Sequence, residues 1–139
     1  MSYQKIVDTI RNSSVANNPT GRFINGRIVD ASRIFDGAYP LIVLYPFTIR
    51  KGFGEANDAF DSTQILLGFW RQDQPDSTEE LREQYIAEMD VLSDLILNDL
   101  FQVTDIRITS VDKEPQYQFY QGTLSGFAVR FNLSVLQEC

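Results

Sequence analysis

The sequence lacks histidine altogether and has a single cysteine, Cys139, at its last position. Without histidine the chain cannot build a Ser-His-Asp or Cys-His nucleophilic system, an imidazole general base or most kinds of zinc site. One cysteine cannot form an internal disulfide, and a fraying terminus is a poor place for a positioned nucleophile. We therefore expect Cys139 to be inert and the protein not to be an enzyme.

Long apolar runs are also missing. No stretch approaches the roughly 18 apolar residues of a membrane span, and the first residues, MSYQKIVDTIRNSS, contain no apolar signal-peptide region. We therefore expect a protein that is made in the cytoplasm, is not secreted by the usual route and has no membrane partner.

Basic residues are scarce, 12 against 19 acidic ones, which gives a formal net charge of −7. Proteins that bind DNA duplexes normally cluster Lys and Arg to replace counterions, but only Arg50 and Lys51 are adjacent here. This pattern argues against sequence-specific nucleic-acid binding. It remains compatible with DNA passing close by, because like charges repel and prevent adhesion.

The 139 residues suffice for one buried core, and 43% hydrophobic residues is a globular composition. No internal repeat or composition shift divides the chain. We therefore expect a single domain over residues 1–139.

Two segments have helical periodicity. Ile6, Val7 and Ile10 predict a short helix over residues 3–12, which ends in the turn-forming SSVANNPTG. A capping box, STEE at residues 77–80, predicts the start of a long helix that continues to about Leu100. The residues that predict its apolar stripe, at spacings of three and four, are Leu81, Tyr85, Met89, Leu92 and Ile96.

Four segments have strand character. They are LIVLYPF at 41–47, QILLGFW at 64–70, TDIRITSV at 104–111 and a strictly alternating strand at 123–135, led into by residues 116–122. In the last strand, Phe127 to Val135 occupy one side at every second position, and small or polar residues occupy the other. The DKEP sequence at 112–115 predicts a turn.

Two connecting features complete the prediction. Asn25-Gly26 lies between apolar pairs in RFINGRIV, which predicts a β-hairpin over residues 21–30 with a type I′ turn. The stretch RKGFGEANDAFD, residues 50–61, predicts a long exposed loop, mobile in isolation and ordered on assembly. The whole is an α+β two-layer sandwich: a mainly antiparallel sheet of about four strands, one long and one short helix, and a small hairpin.

No pattern points to a cofactor or metal. Glu79, Glu80 and Glu83 belong to a helix cap and a solvated face, and the acidic residues near Asp58 match no calcium-binding loop. Gly52-Phe53-Gly54 lacks the rest of a phosphate-binding loop. We therefore expect no cofactor and no metal.

The aromatic group YQFY at residues 117–120 has two interpretations. Tyr117, Phe119 and Tyr120 can be core residues, or they can form an interface, since half-exposed tyrosines are typical of interface cores.

The order of elements, the size and the acidity resemble the ring-forming neck proteins of tailed bacteriophages, known as tail terminator, tail completion or head–tail connector proteins. The resemblance runs from YQKIVDTIRN through LIVLYPF, QILLGFW and the capped helix to SGFAVRFNLSV. It has no diagnostic residue motif, and the RFINGRIV hairpin lies outside it.

The resemblance implies a non-catalytic virion protein that forms a ring of six or twelve copies between the capsid portal and the tail. Its partners would be copies of itself and adjacent portal, neck or tail proteins, with the genome passing through the lumen. The polar side of the last strand, which includes Gly126 and Ala128, would lie against a neighbour or the lumen, and small residues there would allow another backbone to approach. Candidate interface residues are Phe47, Phe53, Tyr117, Phe119, Tyr120, Asn25 and Gly26.

Two other classes of function remain open. One is a non-catalytic adaptor or binding module that offers a sheet edge to a partner strand. The other is an enzyme that uses carboxylates or a metal.

Overall fold

The computed structural model describes residues 2–26, 39–53, 59–72, 78–118 and 124–136. Two helices and six strands lie in this part of the chain. In chain order they are α1 (Ser2–Asn17), β1 (Arg22–Asn25), β2 (Leu41–Leu44), β3 (Arg50–Phe53), β4 (Ala59–Gln72), α2 (Glu79–Phe101), β5 (Ile106–Gln118) and β6 (Leu124–Leu136). The predicted α+β class is confirmed.

The strands form one open, mixed sheet. Its main path is β1-β2-β4-β6-β5, and β3 pairs with β4 beside that path. β1 and β2 are parallel, and the other pairs are antiparallel. β4 and β6 pair over their whole length, from Phe60 opposite Leu136 to Gln72 opposite Leu124. The sheet is thus larger than the expected four strands and has one parallel pair.

β2 and β3 are two halves of one interrupted strand. Leu44 lies opposite Leu67 and Arg50 lies opposite Ser62, so the five residues 45–49 face the four residues 63–66 of β4. One extra residue on one strand is a β-bulge, and Pro46, which cannot donate to the ladder, lies within it. The strand predicted over 41–47 therefore ends at Leu44.

The predicted loop over residues 50–61 is wrong for most of its length. Residues 50–53 pair with residues 59–62 as an antiparallel ladder, and residues 54–58 lie outside the described part of the chain. Local composition suggested a loop because of the glycines, whereas the ladder depends on the register set by β4 and β6.

The type I′ turn at Asn25-Gly26 is also wrong. Asn25 is the last residue of β1 and lies opposite Leu44, and the Gly26 amide donates to the Leu44 carbonyl at 2.9 Å. Among the described non-glycine residues only Ser110 has a positive φ, so Asn25 lacks the conformation that this turn requires. Parallel pairing with β2 satisfies this backbone instead. The expected return arm beyond Gly26 lies outside the described residues.

The turn predicted at residues 112–115 is absent, because β5 runs through it to Gln118. A bulge between Thr109 and Asp112, with Ser110 at φ 56°, shifts the register by one residue. No described strand pairs with the outer side of β5, and an edge position tolerates Pro115 since no ladder bond is lost there.

Both helices begin or end differently from the prediction. α1 continues past residue 12 to Asn17 because its C-terminal turns are held against α2: Ser13 Oγ and Asn17 Nδ2 donate to the Asp99 carboxylate at 3.0 and 2.7 Å. α2 has Thr78 as its N-cap, one residue later than the predicted Ser77, and the Thr78 hydroxyl accepts from the Leu81 amide at 3.2 Å.

The main core lies between one face of the sheet and both helices. The alternation predicted for β6 is confirmed there: its core-facing positions Val129, Phe131, Leu133 and Val135 are buried, whereas Arg130 and Asn132 are exposed. A smaller cluster occupies part of the opposite face. Its buried members are Ile24, Leu41, Val43, Trp70 and Leu124.

Gly126 is buried, and a Cβ at this position would overlap the Phe69 carbonyl oxygen. The backbone that approaches this glycine therefore belongs to β4 of the same chain. Close approach by a neighbouring copy is not needed to explain it.

Lys113 fastens the edge strand β5 to the helix layer. It donates to the carboxylates of Asp90 and Asp94 on α2, the latter at 2.7 Å, and its Nζ lies 5.4 Å from the centre of the Phe127 ring. Burial acts to lower the pKa of Lys113, but hydrogen bonds and the negative charges of the two aspartates outweigh it. The pKa is therefore raised above its usual 10.5.

Replacing Lys113 with methionine is expected to lower the free energy of unfolding by about 1 kcal/mol at neutral pH, because the pair is partly exposed and the two aspartates lose their cation. The folded-state pKa of Lys113 is raised above that of the unfolded chain, so the stabilisation is full below the unfolded pKa. It should vanish as the pH rises through the folded pKa, above 10.5. Denaturant unfolding of both proteins across this pH range measures it.

Arg107→Met is the matched control, because Arg107 is exposed on the same strand and makes no ion pair with any described residue. It should leave stability nearly unchanged. Equal stability of Lys113→Met and the wild type at neutral pH would show that the contacts of Lys113 with Asp90 and Asp94 do not stabilise the fold.

Candidate interaction surfaces

The structure brings together two of the predicted interface positions through a residue that sequence reasoning missed. Tyr3, near the start of α1, stacks on Phe47 with ring centres 5.4 Å apart, and its hydroxyl accepts from Asn25 Nδ2 at 3.1 Å. Gly26 follows directly. Tyr3 is 46% exposed and Phe47 packs partly on the main core. Tyr3, Asn25 and Phe47 form a half-exposed group that we term the Tyr3 cluster.

The other candidates lie elsewhere. Phe53 is the last residue of β3 and lies opposite Ala59 of β4. Tyr117 follows Gln116, which lies opposite Gly126 of β6, and Gly126 in turn lies opposite Trp70 of β4. Trp70 follows Ala59 by eleven positions along β4, which at about 3.3 Å per residue is about 36 Å. Phe53 and Tyr117 therefore occupy opposite ends of the sheet. Phe119 and Tyr120 lie outside the described residues.

The sheet side facing away from the helices carries a polar region. Cross-strand partners in an antiparallel pair share a face, so the exposed residues of β4 and β6 align with those of β3 and β5. One row runs from Arg50 through Ser62 and Ser134 to Arg107, and the next from Gln64 through Asn132 to Thr109. We term this region the polar face. Its exposed members are Arg50, Gln64, Arg107, Thr109, Asp112, Glu114, Arg130 and Asn132.

A groove of about 680 Å³ opens at one side of the polar face. It lies where the bulge of residues 45–49 leaves β4, and its walls include Phe47 and Thr48 on one side and Gln64 and Asn132 on the other. The polar face is therefore concave at this point, because the interrupted strand leaves a gap beside β4.

Charge is distributed unequally between the two sides of the sheet. On the helix side, cations have partners: Lys5 with Asp105, Arg71 with Glu88 and Lys113 with two aspartates. On the polar face, Arg50, Arg107 and Arg130 are exposed and none makes an ion pair with a described residue. A protein of net charge −7 thus presents on one surface three arginines that have no ion-pair partner among the described residues, beside the acidic residues Asp112 and Glu114.

The outward side of α2 is acidic and partly apolar. Residues spaced three and four apart share one helix face, and those opposite the buried positions are all exposed. Val91 is 60% and Leu95 46% exposed. We term this surface the helix ridge. Its members are Glu80, Glu83, Ala87, Val91, Asp94 and Leu95.

Sequence reasoning selected aromatic residues and the polar side of β6, but it missed the helix ridge and the arginines of the polar face. A signal for the ridge was present, since Val91 and Leu95 are apolar residues four apart on the side of the helix that is otherwise acidic. The three arginines gave none, because they are far apart in the sequence and only the sheet register brings them onto one face.

Within the part of the chain that the structure describes, no three acidic or cysteine side chains gather in a way that could hold a metal ion. Neither described helix has a stretch long and apolar enough to cross a bilayer. A scan against protein-family models finds no match to the chain, and a search of curated proteins finds none either.

Proposed function

We propose that this chain is a non-catalytic structural subunit of an oligomeric ring in the neck or tail of a tailed-bacteriophage virion. The ring connects the capsid portal to the tail and surrounds the channel through which the genome passes. Its partners are copies of itself and the adjacent portal, neck or tail proteins, and it is made in the host cytoplasm. The observation that carries the proposal is the exposed polar face on a sheet whose other face is filled by both helices.

A ring subunit needs two different contact surfaces. Each copy touches two neighbours, and a head-to-tail interface uses one surface of the first and another of the second. Asn25 of the Tyr3 cluster lies on β1 and Tyr117 lies on β5, which are the first and last strands of the main sheet path, and Phe53 lies at the other end of the strands from Tyr117. The candidate residues therefore occupy separate surfaces. This separation supports cyclic assembly better than a two-fold dimer through one patch.

The charge also supports a conduit. A net charge of −7 repels DNA, which favours free sliding of a genome over adhesion to the wall.

The test is a measurement of mass and shape in solution. Light scattering or native mass spectrometry should give a discrete multiple of the 15.9 kDa chain, and negative-stain microscopy should show particles with a central opening. A metal scan of the same sample should find no stoichiometric ion. A monomer at every concentration, or stoichiometric metal, would refute the ring subunit.

One observation favours a second candidate, the adaptor that binds an extended peptide. β5 is a 13-residue strand whose outer edge pairs with no described strand. However, its bulge, Pro115 and charged residues are features that protect edges from strand addition. A monomer that binds a peptide along β5, seen as chemical-shift changes confined to that edge, would favour the adaptor.

A further inference from the structure

We propose that the polar face of one copy binds the helix ridge of α2 on the next copy. This contact rests on the proposed function, because it names one interface through which the ring closes. It joins a concave sheet surface to a convex helix surface. Since the two surfaces lie on opposite sides of the fold, the contact is heterologous and passes from copy to copy.

The polar face supplies three cations without partners among the described residues. Arg50 and Arg130 are four residues apart along the strands and two strands apart across the sheet, which places their Cα atoms about 16 Å apart. Arg107 and Arg130 are likewise four residues and one strand apart, about 14 Å. Between them lie the uncharged side chains of Gln64 and Asn132, which can donate and accept hydrogen bonds.

The helix ridge supplies the complementary charges at a matching distance. Glu83 and Asp94 are 11 residues apart, about 16 Å along a helix axis. Asp94 already accepts a hydrogen bond from Lys113 of its own chain, but its side chain remains 58% exposed and can meet a second cation. Neither Glu80 nor Glu83 makes an ion pair with a described residue. Val91, 60% exposed, lies between the two acidic ends, so docking would remove this apolar side chain from water while the carboxylates meet arginines.

The polar face and the helix ridge are complementary in shape as well as in charge. The groove beside β4 makes the polar face concave, and a helix surface is convex, so the ridge can enter where residues 45–49 leave the sheet. Docking would place a helix layer on the exposed side of the sheet, opposite the layer that α1 and α2 form on the other side.

DNA fits the polar face less well. Asp112 and Glu114 are exposed on the same side of the sheet, opposite Arg130 and Ala128, so the polar face carries charges of both signs. The helix ridge sets the uncharged side chains of Ala87, Val91 and Leu95 between its carboxylates, whereas a duplex is negative along its whole length.

The contact should be weak for one pair of copies and sensitive to salt. A 23-residue helix is about 34 Å long and 10 Å wide, a footprint of about 340 Å², against about 800 Å² per partner in a standard interface. Ring closure gives each copy two such contacts, with further area from the candidate aromatic surfaces. Exposed charge pairs are screened by salt, so association should fall as ionic strength rises.

The test is a charge swap followed by mixing. Variant one carries Arg107→Glu and Arg130→Glu on the polar face, and variant two carries Glu80→Arg and Glu83→Arg on the ridge. In each variant alone, the polar face and the helix ridge carry charges of the same sign, so the copies repel each other and the variant should sediment as a monomer. In an equimolar mixture, the negative polar face of variant one can bind the positive ridge of variant two. The wild-type polar face of variant two can in turn bind the acidic ridge of variant one, so association should return. The four changes combined in one chain keep the net charge of −7 and should also associate.

Two controls separate the contact from misfolding and from bulk charge. Circular dichroism of each variant must match the wild type, and the mixing experiment uses the same folded samples throughout. Asn12→Glu with Ala16→Glu makes the chain more acidic at exposed positions of α1, outside both surfaces, and should leave association unchanged.

The possible outcomes distinguish this contact from the ring itself. Rings that persist in variant one, or a mixture that stays monomeric, overturn the contact and leave the ring standing. Restored association without closed particles supports the contact and overturns the ring. A wild type that never associates at low salt overturns both. Wild-type binding of a fluorescent DNA duplex that is lost in variant one overturns the contact in favour of DNA.

Discussion

Replacing Phe131 with alanine is expected to lower the free energy of unfolding by about 3–5 kcal/mol. Phe131 is 0% exposed and lies on the helix-facing side of β6, opposite Ile65 of β4. β4 and β6 are paired along their whole length, so the strands cannot move together to fill the space left by the ring. Most of the cavity would remain, and urea unfolding followed by circular dichroism should show a lower midpoint with a similar slope.

The neighbouring residue provides the control. Asn132 is exposed on the other side of the same strand, and Asn132→Ala should change stability by no more than about 0.5 kcal/mol. Leu92→Ala tests the same core from α2, with a loss in the lower part of about 2–5 kcal/mol because Leu92 keeps 8% of its surface exposed. Wild-type melting of both core variants would show that this packing is wrong.

The sequence predicted those parts of the fold whose pattern repeats over many residues. Strict alternation in β6 identified Phe131 as core and Arg130 as exposed, because a strand turns successive side chains to opposite faces. The helical stripe of α2 likewise identified Met89, Leu92 and Ile96, which are buried. The same stripe predicts Leu81 as a core residue, but Leu81 is 38% exposed, since it lies in the first turn of the helix.

Features decided by distant partners were missed. Asp112 to Pro115 has the composition of a turn, yet it continues β5 because Lys113 reaches Asp90 and Asp94 on α2, and Pro115 lies opposite Phe127. Asn25-Gly26 has the composition of a hairpin turn, yet Asn25 pairs with Leu44 in a parallel ladder. In both places long-range pairing outweighs a local preference of about 1 kcal/mol or less.

Of the two candidate surfaces, one could be predicted from the sequence and the other could not. Exposed apolar residues on α2 can be identified by placing the sequence on a helix, since Val91 and Leu95 depart from the acidic pattern around them. The three arginines of the polar face cannot, because their proximity depends on the bulge after Leu44 and on the register of three strand pairs. One residue of slip on β6 would move Arg130 to the core side.

Replacing Tyr117 and Tyr120 with aspartate is expected to leave the circular dichroism spectrum intact and to abolish assembly into rings. Tyr117 lies near the end of β5, beyond the row that joins Gln116 to Trp70, and therefore at the opposite end of the sheet from Phe53. A stable contact between copies buries at least about 1,000 Å² in total, more than a single helix footprint supplies. A second contact area at this end of the sheet would make up the difference, and buried carboxylates there would lack partners. Sedimentation velocity on the variant and wild type measures the loss.

Gln116→Asp with Gln121→Asp is the matched control, because it adds the same two negative charges to the same segment and keeps both tyrosines. It should weaken assembly far less, since only charge is altered. If the control abolishes assembly equally, repulsion alone explains the effect and the aromatic contact is wrong. If the tyrosine variant still forms rings, the segment belongs to the core or to a surface that makes no contact between copies. The copies must then meet through the polar face and the helix ridge together with the Tyr3 cluster.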